Sequence, residues 1–392
     1  MALDIFRERG IPLERQQFTW RDVVREPISK LDADAYTRVR VILMNGIEQQ
    51  QNRLLHHLGQ FNRNLRGALA QVRRVDHHQQ TLVNWLLPPD QSALETTIAY
   101  EQVAIEVTAA LAQQEPDPYL AQAYRFGLLE DFDHLYRYSA LMDRVDGKDA
   151  NNILQSYTDI RPGRPTSLEH RAPEDDLRES YDHKAADPIS KMNAYTIFAG
   201  EYQTRDYYMN VGPTFADPIA RQLYAEIASI EEQHVTHYGS LIDPDETVLE
   251  KWLISECNEV YNYYSCMESE DDPRIKEIWE RFLEYELGQL HFVMDLMKSI
   301  EQRDPAELLP KELPKPIAYK SQRDFVRKVL NTEVHYRAAG TIMGEVQESA
   351  ATKTYRDQMN SEGSPTEIVA AGYVWAPGTE LAAFVTQPGA SA

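Results

Sequence analysis

Apolar residues recur along most of this chain at spacings of three and four, the period of a buried helix face. The pattern predicts helices at about 33–60, 62–87, 91–114, 118–145, 188–211, 216–242, 246–269, 273–302 and 321–350. The breaks between them are explicit: Leu87-Pro88-Pro89-Asp90, the turn around Pro116 and Pro118, Asp243-Pro244-Asp245 and Asp271-Asp272-Pro273. Asp followed by Pro starts a helix well, because Asp caps the free N–H groups and Pro lacks one. Gly and Pro gather between long runs rather than every ten residues, so an all-β reading fails. The expected class is all-α.

The helices repeat. Leu94-Glu95, Glu101, Pro118, Asp131 and Lys148-Asp149 match Leu249-Glu250, Glu256, Pro273, Glu286 and Arg303-Asp304 at a constant offset of 155. Upstream, Glu48 matches Glu201 and His78 matches Glu231 at an offset of 153. The ancestral unit reads as two helical hairpins, present twice. Four regions follow: an N-terminal hairpin in 1–90, a central bundle in 91–242, C-terminal helices in 243–350 and a weakly patterned tail in 351–392. The stretch 146–187, polar and rich in Pro, separates the second hairpin from the third.

Composition narrows the partners. A formal net charge of -22 argues against nucleic acid, which needs basic patches, and against an anionic membrane surface. No apolar run reaches membrane-spanning length, and the N-terminus lacks a signal-peptide layout. Cys257 and Cys266 share one predicted helix, roughly 13 Å apart at 1.5 Å per residue, too far for a mutual disulfide. A cytoplasmic location is expected.

Two stretches carry the chemistry. Glu101 is followed thirty residues later by Asp131-x-x-His134, and Glu201 thirty residues later by Glu231-x-x-His234. A carboxylate and a His at i and i+3 share one helix face. The midpoints of the two pairs, Pro116 and Ala216, fall in turns, so each pair sits at equal depth on two antiparallel helices. Four carboxylates and two imidazoles at one level are the ligand set of a dinuclear metal site in a helix bundle. Four such acids repel strongly unless cations join them.

Carboxylate, carboxylate-x-x-His, long crossover, Glu, Glu-x-x-His resembles the ferritin-like di-iron carboxylate superfamily over roughly 91–242. The wide gap resembles its oxygen-activating branch: ribonucleotide reductase small subunits, multicomponent monooxygenase hydroxylases, acyl-carrier-protein desaturases and benzoyl-CoA epoxidase. Phe198-Ala199-Gly200-Glu201 is locally similar to rubrerythrins. The resemblance implies a ferritin-like four-helix bundle joined by the crossover 146–187 and flanked by the other two hairpins. It implies Glu101 and Glu201 as ligands on the two helices without His, Asp131 and Glu231 as bridging or terminal carboxylates, and His134 and His234 one per metal. Asp131 stands where the family usually has Glu; its shorter arm could change the bridging geometry or weaken one metal site, and Glu130 beside it could reach the site or support it.

The implied cofactor is dinuclear iron, with manganese also suited to these ligands. The implied activity is that of an oxygenase or oxidase using O2 or peroxide, a small organic substrate and an external electron donor, with a homodimer as one assembly. Iron handling or peroxide removal is the rival reading, and a metal-free helical scaffold the third. Tyr138, four residues after His134, matches the radical-forming Tyr of ribonucleotide reductases at the motif level and is the candidate catalytic residue; a packed core Tyr is the plainer reading. Tyr100, Tyr136, Tyr202, Tyr224 and Tyr238 also fall near the site. Glu48, His78, Glu256, Glu259, Glu286-x-x-Gln289 and His291 echo the motif imperfectly. They are read as relics of duplication, with a second site as the alternative.

Overall fold

The computed structural model describes residues 3–334, 337–339, 342–344 and 348–376. Thirteen α-helices are present among them: α1 (Trp20–Val23), α2 (Ala35–Phe61), α3 (Arg66–Asn84), α4 (Ala93–Gln114), α5 (Pro118–Asp146), α6 (Asn151–Leu154), α7 (Pro188–Val211), α8 (Pro218–Ser240), α9 (Val248–Ser269), α10 (Pro273–Ile300), α11 (Arg323–Glu333), α12 (Ala350–Met359) and α13 (Pro365–Ala370). One short antiparallel hairpin, β1 (Arg337–Ala339) with β2 (Ile342–Gly344), pairs Ala338 with Met343. The fold is helical, and no helix among the described residues is long and apolar enough to cross a membrane.

Local signals fix most helix starts. Asp117, Asp187, Asp217 and Asp272 each cap a helix that begins with Pro. Ser92 with Glu95 and Thr247 with Glu250 form reciprocal capping boxes at the starts of α4 and α9. These lie 155 residues apart, and Lys148 and Arg303 close onto Glu95 and Glu250 at 3.1 and 2.7 Å. The duplication is thus visible in three dimensions. At its other end α5 stops at Gly147, whose φ of 62° suits a residue without a Cβ.

Helices α4 and α5 pack as one hairpin and α7 and α8 as another, and the two hairpins close on each other. The remaining long helices do more than flank. The α2–α3 and α9–α10 hairpins also meet, through α2 against α9 and through Gln79 of α3 on Glu286 of α10. They make a second bundle beside the first. Helix α2 lies against α4, α7 and α9, which is why Ala35 to Glu48 is buried on every face. Each bundle takes one hairpin from each repeat.

The segment 147–187 crosses the length of the first bundle. Arg164 N donates to Leu129 O midway along α5 at 2.9 Å, and Tyr181 N reaches Leu241 O beyond the end of α8 at 3.0 Å. Gly163 lies flat against α5: a Cβ there would stand 2.4 Å from Leu129 O and 2.6 Å from Asp133 N. Asp133 ties the crossover down, accepting from Gly163 N, Thr166 N and Thr166 Oγ1 at 3.2, 2.9 and 2.8 Å.

Two expectations need correction. The helix expected over 321–350 covers only Arg323–Glu333 and gives way to the β1–β2 hairpin; Gly340 and Gly344 in that run weaken a helix, and Thr341 and Ile342 favour extended chain. The tail, expected to be weakly structured from 351, contains α12 and α13 up to residue 370, and α13 packs on α5 and α8. Residues 377–392 lie outside the described residues.

Candidate metal centre

All six predicted ligands point into the middle of the α4–α5–α7–α8 bundle and are almost fully buried. They form two sets whose ligand atoms lie within 4.8 Å of one another: Asp131, Glu201, Glu231 and His234 in one, Glu101, His134 and Glu231 in the other. The two imidazole rings are 5.8 Å apart. Glu231 belongs to both sets, the position of a bridging carboxylate. Asp131 belongs to the His234 set alone, as its short arm would dictate.

The helices fix these directions. In α5, Asp131 and His134 are one turn apart, and Glu231 and His234 repeat that spacing in α8. Glu101 in α4 and Glu201 in α7 close the other two sides.

Electrostatics make the cluster costly without cations. Two like charges 4.8 Å apart repel by roughly 3.5 kcal/mol at an effective dielectric of about 20. Burial, then the neighbouring carboxylates, push Glu101 and Glu201 well above the usual carboxylate range; burial raises Asp131 too. Glu231 resists burial because His134 and His234 hold it at about 2. Burial opposes protonation of His234, yet Asp131, Glu130 and Glu201 raise it well above the usual imidazole range.

Several ligand atoms have no hydrogen bond: Glu101 Oε2, both oxygens of Asp131, Glu201 Oε2, Glu231 Oε2 and His234 Nδ1. His234 Nδ1 is 3.2 Å from Asp131 Oδ1 without the alignment of a hydrogen bond. Buried polar atoms are rarely left so. This donor set, carboxylate oxygens with two imidazoles, is compatible with bound metal.

Behind His234 stands a support that sequence reasoning found only in part. Glu130 Oε2 sits 2.7 Å from His234 Nε2. Its other oxygen takes Arg171 Nη1 at 2.5 Å, and Arg171 Nε reaches Asp176 Oδ1 at 2.6 Å. Such a carboxylate fixes the ring tautomer, here leaving Nδ1 to face the cluster. His134 lacks an equivalent: its Nδ1 meets Glu231 Oε1 at 3.1 Å, and its Nε2 has no partner. Arg171 comes from the irregular crossover, and no periodicity in the sequence singles it out.

Tyr138 is buried with its hydroxyl unpartnered, its ring 5.1 Å from Tyr208 and 4.9 Å from Tyr224. Tyr208 is the phenol that donates to Glu101 Oε1. Its place two turns after Glu201 on one helix face was a usable signal. His237 is buried and stacked on Phe126 at 5.7 Å, and it belongs to neither ligand set.

A narrow crevice between α2, α4 and α7 ends on Glu201. Leu43, Val103, Val107 and Ile197 make its walls, and it has room for about one water-sized molecule.

No family model, curated protein or solved structure matches this chain, so the buried carboxylate and histidine cluster itself is the strongest indication of what the protein does.

Proposed function

We propose that the central bundle is a ferritin-like dinuclear metal centre that binds two iron ions and uses them to activate O2 or peroxide, as an oxygenase or oxidase. The observation that carries this reading is the pair of ligand sets sharing Glu231, with unpaired oxygens and the Nδ1 of His234 turned inward. Glu101, His134 and Glu231 would hold one ion, and Asp131, Glu201, Glu231 and His234 the other. Bound iron would supply the electrons that reduce the oxidant. The chain's own residues supply the rest: Glu130 and Arg171 orient His234, Tyr208 orients Glu101, and the apolar walls beside Glu201 exclude bulk water. Tyr138 or Tyr208 would donate an electron. An external donor would restore the reduced state.

The crevice favours a second reading, peroxide removal or iron oxidation. It admits an oxidant of a few atoms, whereas an organic substrate needs the α2–α4–α7 contact to open.

Elemental analysis after expression in iron-replete medium, with an absorption spectrum before and after peroxide, tests the proposal. Two irons per chain and a new visible band are expected. Trace metal alone, in folded protein, refutes it. Turnover of small organic substrates with a chemical reductant separates the two readings.

A further inference from the structure

The second bundle buries an acid cluster of its own. Helices α2, α3, α9 and α10 bring Glu48, Asp76, Glu256, Glu259 and Glu286 into their shared interior, all 0% exposed. Oxygens of Glu48, Glu259 and Glu286 lie within 4.8 Å of one another. The expected pairing of His78 with Glu231 is corrected here. His78 is only partly buried and packs on Phe18; Asp76 and Gln79 stand 155 residues before Glu231 and His234. The hairpin from Glu48 to Asp76 is two residues shorter than that from Glu201 to Glu231, which hid the match. His291 bonds to Glu8 O at 2.9 Å, outside the cluster.

This bundle therefore keeps the acid positions of the first, while Gln79 and Gln289 replace both histidines. The donors that reach the acids are uncharged. Gln79 Nε2 donates to Glu286 Oε1 at 2.6 Å and Glu48 Oε1 at 3.2 Å, Trp252 Nε1 to Glu256 Oε1 at 2.6 Å, and Tyr263 to Glu48 Oε1. In Glu48, Glu256 and Glu286 one oxygen takes these bonds. The Oε2 atoms of Glu48, Glu256 and Glu286 take none, and neither oxygen of Glu259 has a partner. A relic of duplication would satisfy or lose such groups, since an unpaired buried carboxylate is costly.

We propose that this bundle is a second metal site, held by Glu48, Glu259 and Glu286, that takes a hard, oxygen-preferring divalent cation of the Mg2+, Ca2+ or Mn2+ class. With imidazoles gone and only oxygen ligands left, the site suits such ions. It pins the N-terminal hairpin to the C-terminal one. It does not rest on the iron reading of the first bundle.

The test uses the full chain, stripped with chelator and titrated with Mn2+ alone. One Mn2+ per chain is expected to be displaced by excess Ca2+ and to survive His134→Ala/His234→Ala. It should be lost in Glu259→Gln, which keeps the shape and removes the charge. On the parent, Ca2+ should raise the melting temperature and release protons, as ligand deprotonation requires; this arm stands even if Glu259→Gln fails to fold. Absence of a Ca2+-displaceable ion overturns the proposal, as does one that persists in folded Glu259→Gln. Failure of the first bundle to bind metal would leave this ion in place.

Discussion

Glu130→Gln separates the two halves of the proposed metal centre. Glutamine has nearly the same shape, so the change concerns protons and charge. Glu130 now accepts from His234 Nε2 at 2.7 Å and from Arg171 Nη1 at 2.5 Å. A glutamine offers one acceptor and one donor to these two groups. Its oxygen stays on the guanidinium, the stronger donor, and its NH2 then faces His234 Nε2. The imidazole must present a lone pair there, which moves its proton to Nδ1, the nitrogen facing Asp131, Glu201 and Glu231. Metal binding has to expel that proton or break the new hydrogen bond. Loss of an outer carboxylate weakens affinity by roughly 10–100-fold, about 1.4–2.8 kcal/mol. Arg171 keeps Asp176 at 2.6 Å and Glu169 at 3.4 Å, so the fold loses about 1.5–3 kcal/mol, the worth of a charged hydrogen bond. Competition against a chromophoric chelator would read the two affinities. The ion on the His234 set should weaken by that factor, and the one on Glu101 and His134 should stay within about threefold. Equal weakening at both, or at neither, in protein with an unchanged circular dichroism spectrum would refute the tautomer argument.

Gly163→Ala should destabilise by about 1–3 kcal/mol, an overpacking cost, since its Cβ would meet α5 backbone at 2.4 Å; a denaturant melt checks it. Tyr138→Phe should leave stability and metal content unchanged, because its hydroxyl has no partner. Tyr208→Phe should cost about 1–3 kcal/mol by stripping a donor from a buried carboxylate, read by thermal melts of the metal-free protein. Burial raises Glu226, but His170, Ser364 and the N–H of Thr366 together hold it below its ordinary range. A depressed carboxylate contributes stability above its unfolded pKa, about 4.3, and loses it as pH falls through the lower folded value. The parent's advantage over Glu226→Gln should therefore be full at neutral pH and shrink below about pH 4.3, measured as denaturation midpoints against pH.

The central site was legible because its signals are local. Asp-x-x-His and Glu-x-x-His fix one face of a helix, and equal spacing across Pro-bearing turns fixes depth, so Glu101, Asp131, His134, Glu201, Glu231 and His234 needed no tertiary knowledge. Arg171 was not legible. It meets Glu130 across 41 residues of irregular chain, where no period links position to direction. Tyr138 drew notice by its spacing from a histidine, whereas Tyr208 of α7 answers to Glu101 on another helix. The second bundle was obscured by a two-residue shift and by glutamine in place of histidine.

The exchange of hairpins between repeats also sets an order of assembly. The first bundle is continuous in sequence and complete by Ser240, whereas the second joins residues 35–84 to 248–300. On a ribosome, α2 and α3 emerge first and must wait, with Glu48 and Asp76 bare to water, while the insert between them and their partners folds. That insert then becomes the template: its crossover puts the start of α4 and the end of α8 at opposite ends, which points α9 back along α2. A chain released just after Ser240 would carry the four helices of the first bundle, without α13, and a stranded hairpin. The closing of α9 and α10 onto helices synthesised at the outset is therefore a late step, with only the docking of segments such as α13 on α5 and α8 left to follow.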